Sequence, residues 1–197
     1  MQNVKLSPHF KLYEFCVTSQ GANLVQANRE FASKPENVEK LTILSNNVLE
    51  PIRAVLVDPK NGFGLKFLTI TSGVRSPEVN KGIANSSKTS RHLHAECADF
   101  VVDGTLANTQ KLFKMIMNNE VQGLYPKKWI AQCILERKKR ADGNWSSWIH
   151  VGIITDDFKK YRKAANRNHT NFPEYMISLD GFKYVLANET NLNKYLQ

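Results

Sequence analysis

The sequence predicts an α+β fold, a small antiparallel sheet with flanking helices, from three observations. Residues 35–49 and 105–119 carry apolar side chains at helical spacing. Residues 67–71, 99–103, 129–136 and 145–154 are apolar runs of strand length. The last two runs flank Asp142-Gly143, a tight-turn dipeptide, so they pair as an antiparallel hairpin.

In chain order, residues 1–15 read as an extended lead-in ending in a short amphipathic turn around Leu12 and Phe15. Residues 18–34 are rich in Asn, Gln and Ser and read as loop with one helical turn near 25–31. Pro35 suits the first turn of a helix, and Glu36 and Glu39 sit near its positive end. Val38, Leu41, Leu44, Val48 and Leu49 then share one face, which packs on the core. Pro51 bends the helix, and residues 52–57 continue it. Asp58-Pro-Lys-Asn-Gly-Phe-Gly64 is a turn cluster before the first strand. Ser76-Pro-Glu-Val-Asn80 begins a short helix, and residues 86–90 form a polar loop. Thr105 caps the second long helix, whose stripe is Leu106, Leu112, Phe113, Ile116 and Met117. Gly123 and Pro126 break the chain before the hairpin. A turn centred on Asp142-Gly143 sets Glu136 opposite Ile149 and Leu135 opposite His150.

Composition narrows the class. With 197 residues and 42% hydrophobic content, the chain supplies the core of one domain, or of one domain with an appendage. No run of about 18 apolar residues is present, so no membrane span is expected. Met-Gln-Asn-Val-Lys lacks the apolar stretch of a secretory signal. The chain is therefore expected to be made in a cytoplasm and to stay there, or to leave it by lysis or inside a particle. Cys16, Cys97 and Cys133 are odd in number and far apart, so they read as reduced and buried. The net charge of +9 suits a polyanion, whether wall polymer, DNA or acidic protein. No helix-turn-helix, zinc-finger or RNP-like pattern supports nucleic acid.

Chemistry concentrates in three places. Residues 71–80 bring Arg75, residues 90–100 bring Ser90, His92, His94 and Asp99, and His150 interrupts the apolar run 148–152. His92, Asp99 and His150 read as three ligands of one zinc ion, because catalytic zinc takes three His or carboxylate donors and keeps a fourth position open. A seven-residue spacing does not put His92 and Asp99 on one short helix, but a loop-to-strand segment points both inward. On spacing alone the pair also reads as a surface His beside a turn-capping Asp. Arg75 reads as a guanidinium for planar oxygen groups or as a surface Arg. Cys97 sits near the proposed metal and reads as a packed side chain or as a further ligand. His94 reads as solvent-facing, with substrate contact and alternative ligation as the other options.

Several ordered blocks carry a resemblance. Ser90-x-His92-x-x-Ala95-x-Cys97-x-Asp99 resembles the S-x-H-x-x-G-x-A-x-D signature of the zinc peptidases that include D-alanyl-D-alanine carboxypeptidases and related phage endolysins. Trp148-Ile-His150-Val is similar to that superfamily's late W-[IV]-H-[VI] strand, which carries the third ligand. Ser7-Pro-His-Phe-Lys-Leu-Tyr-Glu-Phe15, the Ser72-Gly-Val-Arg-Ser-Pro-Glu-Val-Asn80 block and Gln132-Cys-Ile-Leu-Glu136 resemble segments of the branch common in phages and prophages. The likeness spans about residues 5–155.

The resemblance implies a zinc site on the sheet, held by His92, Asp99 and His150. It implies cleavage of D-amino-acid-containing peptides of peptidoglycan, with Arg75 and Ser90 orienting the stem peptide. Such peptidases need a carboxylate to handle the water's proton. Several branches place it three residues before the last His, where this chain has Ser147. The hairpin and the phage-type branch both point to Glu136 instead, and the plain alternative is a strand-edge glutamate beside Arg137 or Lys138. Ala95 and Cys97 replace the motif's Gly and Ala. Ser147, Ala95 and the basic tail motivate the rival expectation, a non-catalytic virion or wall-binding protein on the same fold.

The domain-like likeness ends at about residue 155, which divides the chain into 1–155 and a basic extension, 156–197. Lys159-Lys-Tyr-Arg-Lys163, Arg167-Asn-His169 and an apolar patch at Phe182, Tyr184, Val185 and Leu186 mark the extension. It reads as a helix and strand closing the domain, or as a docking surface for wall polymer or other virion proteins.

Overall fold

The computed structural model describes residues 2–84, 86–124, 129–167 and 170–197; the chain break expected at Pro126 and the His169 end of the basic run lie outside the described residues. Six strands build one sheet: β1 (Thr69–Ser72), β2 (Cys97–Val101), β3 (Ile130–Lys139), β4 (Trp145–Ile153), β5 (Glu174–Ser178) and β6 (Tyr184–Leu186). Their order is β1-β2-β4-β3-β5-β6. The four strands of the predicted sheet pair antiparallel, and β5 joins β3 in parallel, so the α+β class holds with a mixed sheet.

Seven helices appear among the described residues: α1 (Ala22–Ala32), α2 (Pro35–Leu44), α3 (Glu50–Val57), α4 (Pro77–Gly82), α5 (Leu106–Met117), α6 (Asp156–Ala164) and α7 (Glu189–Tyr195). α1 is a full helix where a single turn was expected. Its buried Asn28 donates to the Cys16 carbonyl and accepts from the Ser76 N–H, so tertiary contacts stabilise a stretch of weak helical pattern. Between α2 and α3, residues Ser45–Leu49 wind as a π-helix, and the Glu50 N–H donates to the Ser45 carbonyl. Pro51 has no N–H and its ring crowds the preceding turn, so the wider turn is how the helix passes it. Thr105 caps α5 as its position suggests, its Oγ1 accepting from the Asn108 N–H at 3.2 Å.

One face of the sheet carries the core. Ala98, Phe100, Ile149, Val151, Cys133, Leu135 and Ile177 are buried there, and α5 packs on β3 and β4. The opposite face carries Asp99, His150 and Glu136. Residues paired across a ladder share a face, so register decides which side chains meet.

The hairpin register differs from expectation by one residue. Glu136 pairs with Trp148 and Ile134 with His150. The Arg140 N–H donates to the Asn144 carbonyl, and the Gly143 N–H to the Arg140 carbonyl, with Gly143 at φ 83°. The connection is a loop of Ala141, Asp142 and Gly143 ending in a left-handed glycine, instead of a two-residue turn.

The extension supplies α6, β5, β6 and α7, where one helix and one strand were expected. Leu192 and Tyr195 of α7 are wholly buried in the same core cluster, and the Tyr195 hydroxyl donates to the Glu136 carbonyl at 3.0 Å. Replacing Leu192 by Ala should therefore cost about 2–5 kcal/mol of unfolding free energy. Urea denaturation followed by tryptophan fluorescence should show that loss in one transition; an unchanged midpoint would show that α7 does not contribute to the core.

Candidate metal centre

The site is built where a one-turn 3₁₀ helix, Arg91–His94, leads into β2 and faces β4. Asp99 and His150 are register partners. The His150 Nδ1 lies 2.7 Å from Asp99 Oδ1, and His92 Nε2 lies 3.3 Å from Asp99 Oδ2. The two imidazoles meet edge to face, centroids 5.2 Å apart. All three side chains are buried. One carboxylate thus sits between two histidines.

Backbone geometry holds His92 in place. Its Nδ1 meets the Gly73 carbonyl at 2.5 Å, and its own carbonyl accepts from the Arg75 N–H at 3.0 Å. Gly73 packs so closely that an added Cβ would lie 2.6 Å from the Phe15 carbonyl oxygen. Ala95 closes the turn at φ 54°, the left-handed conformation that favours glycine, so the loop keeps its shape despite the alanine. Behind the site, the Arg91 guanidinium lies over Gly152, where a Cβ would come within 2.7 Å of Nη1. Arg91 also stacks on Phe158 and donates to the Ile153 carbonyl.

The observed register puts Glu136 and Trp148 on the histidine face; the expected one would have turned Glu136 to the other side. Glu136 is buried, and the Trp148 and Tyr184 side chains hydrogen-bond to its carboxylate. Ser147 faces the opposite way, its hydroxyl 2.8 Å from Thr109 Oγ1 and 3.1 Å from the Thr105 carbonyl. Arg75 Nη2 lies 3.5 Å from Asp99 Oδ2, and Ser72 Oγ steadies the guanidinium. Ser90 stands at the start of the 3₁₀ turn without a side-chain hydrogen bond capping it. His94 is exposed.

The electrostatics follow from burial. Burial alone lowers the His92 imidazolium, but interaction with Cys97 and Asp99 outweighs it and raises its pKa to about 10. Burial disfavours an ionised Asp99, yet the two histidines hold its carboxyl well below the usual range. His150 is lowered, chiefly by burial. Burial, then the Asp99 charge, push Glu136 up to about 8.

Two overlapping sets, Asp99–Glu136–His150 and His92–Cys97–His150, each bring three donor atoms within 4.8 Å of one another and could hold a metal ion. A family model described as peptidase M15 matches residues 9–130, more than half of the chain. The chain belongs to peptidase family M15. No significant match is found among curated proteins or solved structures. The M15 match includes Arg75, Ser90, His92 and Asp99 and ends before Glu136 and His150. M15 enzymes are zinc peptidases of the peptidoglycan-related class, and the donor set of this member fits zinc. Its imidazole, carboxylate and thiol donors suit the ion, His92 Nδ1 is tied to a carbonyl as a ligating histidine's second nitrogen should be, and among the described residues His150 Nε2 is buried with no hydrogen-bond partner.

Sequence alone assigns no role to Gly73 or Arg91, reads Trp148 only as part of the W-[IV]-H strand and reads Tyr184 only as part of an apolar patch. Gly73 lies inside the Ser72–Asn80 block and Gly152, which Arg91 covers, lies two residues after His150, so local signals exist for both; Tyr184 is brought to Glu136 only by β5–β6 pairing.

Two substitutions test the supporting backbone. Ala95→Gly should raise stability by about 0.5–1 kcal/mol by relieving the left-handed alanine, measured by chemical denaturation. Gly73→Ala should lower both stability and zinc affinity, because the displaced carbonyl no longer orients His92; unchanged zinc affinity would remove that role from Gly73.

Proposed function

We propose that the chain is a zinc peptidase that cuts peptide bonds involving D-amino acids in peptidoglycan stem peptides, as phage- and prophage-encoded wall enzymes do. The observation that carries this reading is the buried Asp99 carboxylate between His92 and His150, with the Glu136 carboxyl on the same sheet face. His92, Asp99 and His150 would hold one zinc ion. When bound, zinc supplies the Lewis acid that activates water and polarises the scissile carbonyl.

The chain's own groups do the rest. Glu136 accepts the water's proton and delivers it to the departing amine nitrogen. Its buried position, with Trp148 hydrogen-bonded to it, suits a carboxyl that must take up and release a proton near neutrality. Arg75, held beside the site by Ser72, offers its guanidinium to the substrate's carbonyl or carboxylate oxygens. Ser90, at the mouth of the His92 turn, is assigned to substrate orientation by its place in the motif. The Ser147 departure is accommodated: in a regular strand, a residue three before His150 points to the opposite face.

Zinc per chain by elemental analysis, together with peptide release from purified peptidoglycan, tests the assignment. His92→Ala and Asp99→Ala should lose the zinc. Cys97→Ala should keep about one zinc per chain, whereas its loss would make the thiol a ligand. Glu136→Gln should keep zinc and lose at least about a hundredfold in kcat, the scale of general acid–base catalysis. Full zinc with no cleavage by the native chain would instead favour a non-catalytic wall-binding or virion component.

Metal binding should also be proton-linked. His92 stays charged below its raised pKa of about 10, so zinc must displace its proton at pH 7. Calorimetry in buffers of different ionisation enthalpy should register release of at least about one proton, and affinity should fall roughly tenfold per pH unit for each proton displaced as pH drops. Zinc binding without proton release would show that His92 is already neutral in the metal-free protein at that pH.

A further inference from the structure

We infer that the C-terminal strand β6 forms the far wall of the substrate cleft, with the Tyr184 hydroxyl and the Leu186 side chain binding the portion of a peptide that extends beyond the scissile bond. This rests on the peptidase reading above and adds a binding surface from outside the matched segment, which ends at residue 130.

The sheet register carries the inference. Asp99 pairs with His150, His150 with Ile134, Ile134 with Met176, and Met176 with Leu186. The neighbouring row runs Trp148, Glu136, Ser178, Tyr184. Lateral partners share a face, so both rows continue from the proposed metal ligands and base directly to β6. Ser178 between Glu136 and Tyr184 is small and wholly buried, and the Tyr184 hydroxyl reaches across it to Glu136 Oε2 at 3.4 Å. That distance is at the long end for a hydrogen bond, which leaves the hydroxyl able to turn to a ligand. Burial and then the Glu136 carboxylate push the phenol up, so it remains a donor throughout the working range.

Exposure changes along the same rows. Ile134 and Glu136 are buried, whereas Tyr184 is 48% and Leu186 71% exposed. The apolar surface of β6 is thus open to solvent at the point where it adjoins the proposed base. Arg75 stands beside Asp99. An extended peptide laid across the strands would meet the guanidinium with its carboxyl-terminal oxygens and β6 with its preceding residues. The chemistry at β6 calls for a backbone carbonyl to accept from Tyr184 and an aliphatic side chain to cover Leu186.

The test uses full-length, zinc-loaded Glu136→Gln protein, which should bind peptide without turning it over. Calorimetry compares a synthetic peptidoglycan stem pentapeptide with its terminal dipeptide. Tyr184→Phe and Leu186→Ser, introduced singly and together, are mild changes at exposed positions, and zinc content and melting temperature check that each protein is intact. The expected result is that each weakens the pentapeptide about three- to tenfold, the scale of one hydrogen bond or a partly covered aliphatic group. Dipeptide affinity should stay within about twofold in Leu186→Ser, since only the longer peptide extends past the base to Leu186. Pentapeptide affinity unchanged in the double variant would overturn the β6 wall while leaving the peptidase reading standing. Failure of the zinc-loaded parent to bind either peptide would overturn the peptidase reading, and the wall with it.

Discussion

The Asp99 carboxylate between the His92 and His150 imidazoles is the contact around which the rest is arranged. A buried carboxylate is costly unless its partners are fixed in place. Here each partner is fixed by backbone. His150 is the register neighbour of Asp99, so their separation is set by the β2–β4 ladder. His92 is fixed by the Gly73 carbonyl and by the left-handed turn at Ala95. Glycines at 73 and 152 leave room for the Phe15 backbone and the Arg91 guanidinium to approach. A divalent cation held there would take the place of the histidine proton as the carboxylate's counter-charge.

A second polar layer lies behind the first. Arg91 and Lys40 reach Glu96, whose other contact is the Thr155 hydroxyl, and Arg162 pairs with Glu174 at the start of β5. Glu96 thereby ties the 3₁₀ turn carrying His92 to Thr155, the cap of α6, while Arg91 stacks on Phe158 of α6 and Arg162 joins α6 to β5. The extension is therefore coupled to the site twice, through Phe158 under Arg91 and through Tyr184 on β6. Its buried residues Leu192 and Tyr195 belong to the same core cluster as the sheet.

How much was legible depended on the range of the interaction. The stripe at Leu41, Leu44, Val48 and Leu49, the Thr105 cap and the motif spacing around His92 and Asp99 are local, and periodicity or neighbouring residue types report them directly. α1 was missed because its helix is stabilised by Asn28 bridging to Cys16 and Ser76, contacts far away in sequence. The hairpin was placed correctly and its register was not. Asp-Gly is compatible with loops of two and three residues, and the choice depends on whether Arg140 pairs with Asn144.

That single step of register separates the two sources of information. Sequence alone determined the α+β class, the striped helices α2 and α5 and the family-bearing blocks, and it singled out His92, Asp99, His150 and Glu136, because residue chemistry and short-range spacing are written in the chain. Tertiary structure decided that Glu136 shares a face with His150, that Ser147 does not, and that Tyr184 from the extension reaches the same carboxylate. In a strand every side chain alternates between faces, so a one-residue shift exchanges the site for the core. Only the assembled ladder resolves that alternative.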